Sequence, residues 1–111
     1  EVLADLGKVR GCGFDDLPLR PFDLVINATS AGLDGQVPKI NTAVVGPMTI
    51  CYDLSYAKTD TPFVKWAWGL GCARAVEGWG MLVEQAAESF ALWRGVRPET
   101  APVLAVLESA R

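Results

Sequence analysis

The stretch that most constrains the fold is residues 22–28 (FDLVINA), a short apolar run without polar alternation. Such a run fits a parallel strand covered on both faces. It closes at once on the small residues Thr29-Ser30-Ala31-Gly32. Two further runs, residues 48–54 (MTICYDL) and 73–77 (ARAVE), read as strands in the same way. Helical patterns lie between and after them. Thr61-Pro62 supplies an N-cap and a first-turn proline for a helix carrying Phe63, Val64, Trp66 and Ala67, which stops near Gly69 or Gly71. Gly78-Trp79-Gly80 reads as a tight turn into the longest helix, residues 81–94, which Gly95 ends. On its wheel Leu82, Val83, Ala86, Ala87, Phe90 and Trp93 share one face and Gln85 sits at the boundary. A last helix spans residues 101–110, with Pro102 in its first turn. Strands that alternate with helices predict an α/β fold.

The chain's first twenty residues carry less. Residues 1–6 (EVLADL) read as the tail of a helix, Gly7 as its cap, Val9 as the one apolar candidate for an edge strand, and residues 15–19 as a turn or short helix. Residues 42–45 suit one helical turn. The sequence does not start with Met. The expectation is that something precedes residue 1 in the natural product, a processed or engineered start being the competing explanation.

Composition removes several classes of function. The 111 residues carry a net charge of −3 with scattered Lys and Arg, so no basic stripe awaits a nucleic acid. No apolar run is long enough to span a bilayer and nothing resembles a signal peptide, so a cytoplasmic location is expected. Half of the residues are hydrophobic, enough for one small domain or part of one. Cys12, Cys51 and Cys72 are isolated, and with no His in the chain no metal-site spacing exists. They read as buried or half-buried thiols.

In open α/β sheets ligands bind beyond the C-terminal strand ends. Three such ends are legible, around residues 27–32, 53–56 and 77–80, all with small or polar residues. Taken from the residues alone, each position there has an ordinary explanation. Leu54 is core, Gly78 and Gly80 are turn glycines, and Tyr56 is a half-buried tyrosine. Gln85 is a surface or capping amide, and Thr29 and Ser30 are turn residues or an N-cap. Asp53 reads as a tie to a turn or a neighbouring helix N-terminus, and neither Lys58 nor Lys65 earns a catalytic role.

Four segments in register change that balance. INATSAG (26–32), CYDLSY (51–56), TPF (61–63) and EGWGMLVEQAA (77–87) resemble the shikimate dehydrogenase family in order and spacing, over nearly all of the chain from Phe22 onward. The resemblance implies a partial, doubly wound Rossmann-like domain with C-terminal helices, residues 1–111 being the C-terminal portion of the NADP-binding domain. It implies NADPH-dependent, reversible reduction of 3-dehydroshikimate to shikimate in aromatic amino acid biosynthesis. The family's glycine-rich loop and its catalytic lysine–aspartate pair match nothing here, and Gly11-Cys12-Gly13 does not stand in for the loop. The chain alone is therefore expected to be inactive and to bind NADP weakly at best.

At matching positions the resemblance assigns Thr29, Ser30, Leu54 and Gly78 to the cofactor, and Tyr56 and Gln85 to substrate. It assigns no catalytic and no metal-binding residue. Chemistry agrees with that division: an apolar side chain at a strand end suits the back of a nicotinamide ring, and a glycine lets backbone approach it. Tyr56 and Gln85 offer neutral donors and acceptors to a polyhydroxylated acid. Two departures stand out: Glu77 where the family usually has Asp, and Leu54 where Met is frequent. Two alternatives stay open at this point. One is a relative that prefers quinate or an aminated analogue, with NAD or NADP. The other is an inert fragment serving as a folding or oligomerisation module, which a homodimer would fit. No nucleic-acid or membrane partner is expected, and the missing N-terminal part of the same protein is.

Overall fold

A computed structural model of the chain describes residues 2–110. Strands β1 (Leu24–Asn27), β2 (Ile50–Asp53) and β3 (Arg74–Val76) form one sheet in the order β1-β2-β3. Both pairings are parallel, with Leu24 against Ile50, Ile26 against Tyr52, and Tyr52 against Val76. Helix α1 (Pro62–Gly69) connects β2 to β3, and α2 (Trp79–Arg94) and α3 (Ala101–Ser109) follow. Each strand is shorter than its apolar run, because pairing stops where the chain turns away at either end.

Side chains alternate across a strand, so the sheet has two distinct faces. One carries Val25, Cys51 and Ala75, and there Val44, Val45, Phe63, Ala67 and Cys72 close the core. Val44 lies in a single 3-10 turn, Thr42–Val44, between β1 and β2. Asn41 caps that turn by accepting from the Ala43 amide at 2.9 Å. Thr49 fastens the start of β2: its hydroxyl donates to the Phe22 carbonyl at 2.6 Å and accepts from the Gly46 amide at 2.9 Å. Deep burial pushes the Cys51 thiol up to about 11, and the neighbouring Cys72 thiol adds to the shift.

The opposite face is largely exposed on its β1 side. Leu24 and Ile26 are 52% and 54% exposed, and Ile50 is 43% exposed. The apolar run of β1 predicts cover on both faces, and within this chain only one is covered. The physical reason is in the connections: the 3-10 turn and α1 both pack on the Cys51 face. β1 is also one of the two edge strands of the described sheet, and an apolar cavity of about 250 Å³ runs beside it between Phe14, Pro38 and Phe63.

α1 begins at the expected Thr61-Pro62. Gly78-Trp79-Gly80 is not a separate turn. Gly78 is the N-cap of α2, and Trp79 and Gly80 are its first helical residues. Gly95, at φ 73°, ends α2 in a left-handed conformation that suits glycine. The buried stripe of α2 is Val83 and Ala87, four residues apart, and α2 packs against α3. The broader apolar face read from the sequence is only partly buried, since Ala86, Phe90 and Trp93 are exposed. Arg97 folds the connection back onto α2, 2.6 Å from Glu84 and 3.0 Å from Glu88. Hydrogen bonds from Thr100 and then Arg97 hold Glu84 below the usual carboxylate range. In the N-terminal part, Ala4–Leu6 and Phe14–Asp16 form 3-10 turns, and Val9 is not in a strand. Glu1 lies outside the described residues.

Candidate functional site

The last residues of β1 and β2, Asn27 and Asp53, are register partners on the covered face. Both are polar and buried, Asp53 completely. A buried polar group costs free energy unless it is bonded, and these two bond each other and their surroundings. The Asn27 side-chain amide donates to Asp53 Oδ1 at 3.3 Å, which also accepts from the Ser55 amide at 3.0 Å. Asp53 Oδ2 accepts from the Thr61 hydroxyl at 2.7 Å. The same hydroxyl oxygen caps α1 by accepting from the Val64 amide at 3.3 Å. The Thr61 amide in turn donates to Glu77 Oε1, the residue directly after β3, at 2.9 Å.

Three of the expected cofactor positions converge on this cluster. Thr29 donates to Asn27 Oδ1 from both its amide, at 3.1 Å, and its hydroxyl, at 2.7 Å. The Leu54 amide donates to the Asn27 carbonyl at 3.0 Å, and the Gly78 amide to the Ser55 carbonyl at 2.9 Å. Thr29, Leu54 and Gly78 thus sit together at the C-terminal edge of the sheet. Ser30 adjoins Thr29 at the start of a 3-10 turn, Ala31–Asp34, exposed and not capping it with its side chain.

Packing within the chain gives position 78 a requirement for glycine of its own. A Cβ there would lie 2.3 Å from the Leu54 carbonyl oxygen and 2.8 Å from its carbon. The space that a Cβ would enter is taken by the tip of β2.

Tyr56 is 45% exposed, and its ring lies 4.5 Å from that of Trp79. Gln85 is exposed and its Nε2 donates to the Leu82 carbonyl at 3.2 Å. Seven residues after Gly78, it lies on the same side of α2 about 10 Å further along the axis. It makes no hydrogen bond to the strand-tip cluster, so five of the six expected positions gather at the tips and Gln85 stands off along the helix. Among the described residues no group of three or more His, Cys, Asp or Glu side chains is placed to hold a metal ion. No described helix is long and apolar enough to cross a membrane.

The sequence gives no site role to Asn27, Thr61, Glu77 or Trp79. A signal for the first existed: Asn27 and Asp53 are polar residues closing two otherwise apolar runs. That Glu77 reaches the α1 N-cap had no local signal, because the two are sixteen residues apart.

The family model for the shikimate 5′-dehydrogenase C-terminal domain matches residues 78–108. The shikimate dehydrogenase (NADP(+)) of Alkalilimnicola ehrlichii is 56% identical over 107 residues, 96% of this chain and 39% of its own length. The chain matches the C-terminal part of the shikimate dehydrogenase family. It spans about two fifths of the length of the curated relatives it matches. A chorismate mutase/shikimate 5-dehydrogenase fusion protein from Clostridium acetobutylicum superposes with a TM-score of 0.71 at 32% identity, covering 86% of this chain and 35% of the other. The 5-ketofructose reductase of Gluconobacter superposes with a TM-score of 0.68 at 33% identity, covering 86% and 34%. These likenesses place the three-stranded sheet in a Rossmann-like fold of this family.

The tips combine an apolar side chain with a buried polar atom. Leu54 presents a half-buried apolar side chain there. The indole nitrogen of Trp79, beside Tyr56, is a buried donor without a hydrogen-bond partner. A donor left in that state costs about 1–3 kcal/mol, which an acceptor brought to this end of the sheet would recover.

Proposed function

We propose that this chain is the C-terminal portion of the NADP-binding domain of a shikimate dehydrogenase, which reversibly reduces 3-dehydroshikimate to shikimate with NADPH. The observation that carries the reading is the convergence of Thr29, Leu54 and Gly78 at the C-terminal edge of an all-parallel sheet. That edge is where open α/β sheets bind their ligands. Bound NADPH supplies a hydride there.

What the chain's own residues contribute is position and the exclusion of water. Leu54 offers an apolar surface to the ring. The Thr29 hydroxyl, donating to Asn27 and accepting from the Ala31 amide at 3.4 Å, has one lone pair left to accept with, and Ser30 adds an exposed hydroxyl. Tyr56 and Gln85 hold hydroxyls of the substrate with neutral donors and acceptors. Proton transfer falls to none of these residues in this reading.

The remaining part of the domain is proposed to cover the bare Leu24–Ile26–Ile50 face and to extend the sheet beyond β1. Both features are costly to leave in water, and the greater length of the relatives supplies a segment for them. A cytoplasmic location belongs to the same proposal. The test is turnover by the full-length gene product, with shikimate and quinate each offered NADP and NAD. Shikimate oxidation with NADP is expected, and none by the 111-residue chain alone. A full-length product that oxidises no shikimate sinks the reading, and turnover by the short chain sinks its division of labour.

A second reading, a reductase of another carbonyl substrate, is favoured by the likeness to the 5-ketofructose reductase. The same assay with that ketose decides between them. Light scattering on the isolated chain tests self-association through the bare face.

A further inference from the structure

We propose that Asp53, Thr61 and Glu77 are positioning residues for the hydride step, forming one buried brace that fixes the spacing of the three strand tips. The inference rests on the function proposed above and adds residues to which that function gives no contact with cofactor or substrate.

The bonds form a closed circuit. Asp53 accepts from the Thr61 hydroxyl, and the Thr61 amide donates to Glu77. Glu77 is covalently followed by Gly78, whose amide donates to the Ser55 carbonyl. The Ser55 amide returns to Asp53. Asn27 joins from β1 through the same Asp53 oxygen. Three of the four expected cofactor positions lie on or beside this circuit: Thr29 through Asn27, Leu54 as the link between Asp53 and Ser55, and Gly78 as a member.

All three proposed residues are buried, at 0%, 3% and 7% exposure, so water does not offer competing partners. Bonds in such surroundings hold geometry more firmly than exposed ones. The Glu77 side chain reaches from the end of β3 to the start of α1, accepting from the Thr61 amide at 2.9 Å. A loosened tip moves Leu54 relative to Gly78, and small displacements of a ring-bearing surface are felt in turnover.

The experiment uses the intact dehydrogenase. Thr61→Val removes the hydroxyl at nearly constant shape, and Thr61→Ser restores it. For each, kcat, KM for NADP, KM for shikimate, the NADPH dissociation constant and Tm are measured. Loss of the hydroxyl's bond to Asp53, together with its cap on the Val64 amide, predicts about a tenfold fall in kcat/KM for NADP in Thr61→Val. KM for shikimate should stay within about twofold, and Thr61→Ser should recover to within about twofold of the wild type. Should Thr61→Val not fold, Glu77→Ala breaks the adjoining bond and leaves the N-cap hydroxyl in place, with the same tenfold loss expected. Variants that lose only Tm while the folded fraction keeps wild-type constants overturn the inference. So does an equal loss in Thr61→Val and Thr61→Ser. An inactive wild-type protein sinks the proposed function itself, whereas an active wild type with kinetically silent variants sinks the brace alone.

Discussion

Replacing Gly78 with Ala puts a single methyl group where the structure has no room. The backbone there, at φ −74° and ψ 10°, is one that alanine adopts without strain. Any cost is therefore steric. The added Cβ would meet the Leu54 carbonyl oxygen at 2.3 Å, its carbon at 2.8 Å and the Asp53 carbonyl oxygen at 3.2 Å. All three are backbone atoms, which no rotamer change moves aside. Relief requires the end of β3 and the tip of β2 to part by roughly 1 Å, given ordinary carbon contacts of about 3.5 Å. Overpacking of this kind costs about 1–3 kcal/mol. Parting the tips also forfeits the 2.9 Å bond from the Gly78 amide to Ser55, worth about 1 kcal/mol. The expected loss is about 3 kcal/mol, a large share of a typical 5–15 kcal/mol stability. Gly80→Ala is the control, since a Cβ at 80 meets no heavy atom within 4 Å. Inside a helix, that change should gain up to about 1 kcal/mol. Urea unfolding of both variants beside the wild type measures the difference, with unchanged m-values showing that the same transition is compared. A Gly78→Ala protein within about 0.5 kcal/mol of wild type would refute the steric reasoning.

Two further outcomes are expected. The Cys51 thiol titrates near 9 when unfolded and at about 11 when folded. Stability tied to it is therefore complete below about pH 9 and falls as pH rises towards 11, because only the unfolded state has lost the proton. The shift of about two units corresponds to about 3 kcal/mol. Urea midpoints at pH 8 and pH 10.5 should fall more steeply for wild type than for Cys51→Ala, and equal slopes would assign the pH dependence to other groups. Trp79→Phe removes a buried donor that has no partner while keeping a ring against Tyr56. The ligand-free protein should lose less than about 1 kcal/mol, since the removed N–H was itself a cost of about that size. A loss above about 2 kcal/mol in the same urea experiment would mean that the nitrogen is bonded after all.

Much of the architecture was legible because strong local signals agreed with the tertiary result. The 22–28 run, the Thr61-Pro62 start and Gly95 each announce an element whose chemistry is local, and each is found in place. Thr29, Leu54, Tyr56 and Gly78 were readable because they follow strands, and parallel strands bring their C-terminal ends to one edge. What was not readable depends on neighbours distant in sequence. The apolar face of α2 looked wide, yet only Val83 and Ala87 along it are buried, and Trp93 stays exposed. Periodicity reports which residues are apolar, not how much partner surface exists to cover them. Likewise, glycine at 78 was foreseen but not its packing reason, because the Leu54 carbonyl that excludes a side chain there lies twenty-four residues earlier.

The start of α1 is set from the sheet as much as from its own sequence. Thr61 offers its hydroxyl to a carboxylate on β2 and its amide to one beyond β3. A chimera that exchanged only residues 61–69 with a relative would import a helix cut to fit other strand ends. Residues 53–77 form the smallest unit that transplants whole, and recombination between family members should tolerate crossovers on either side of that block far better than within it.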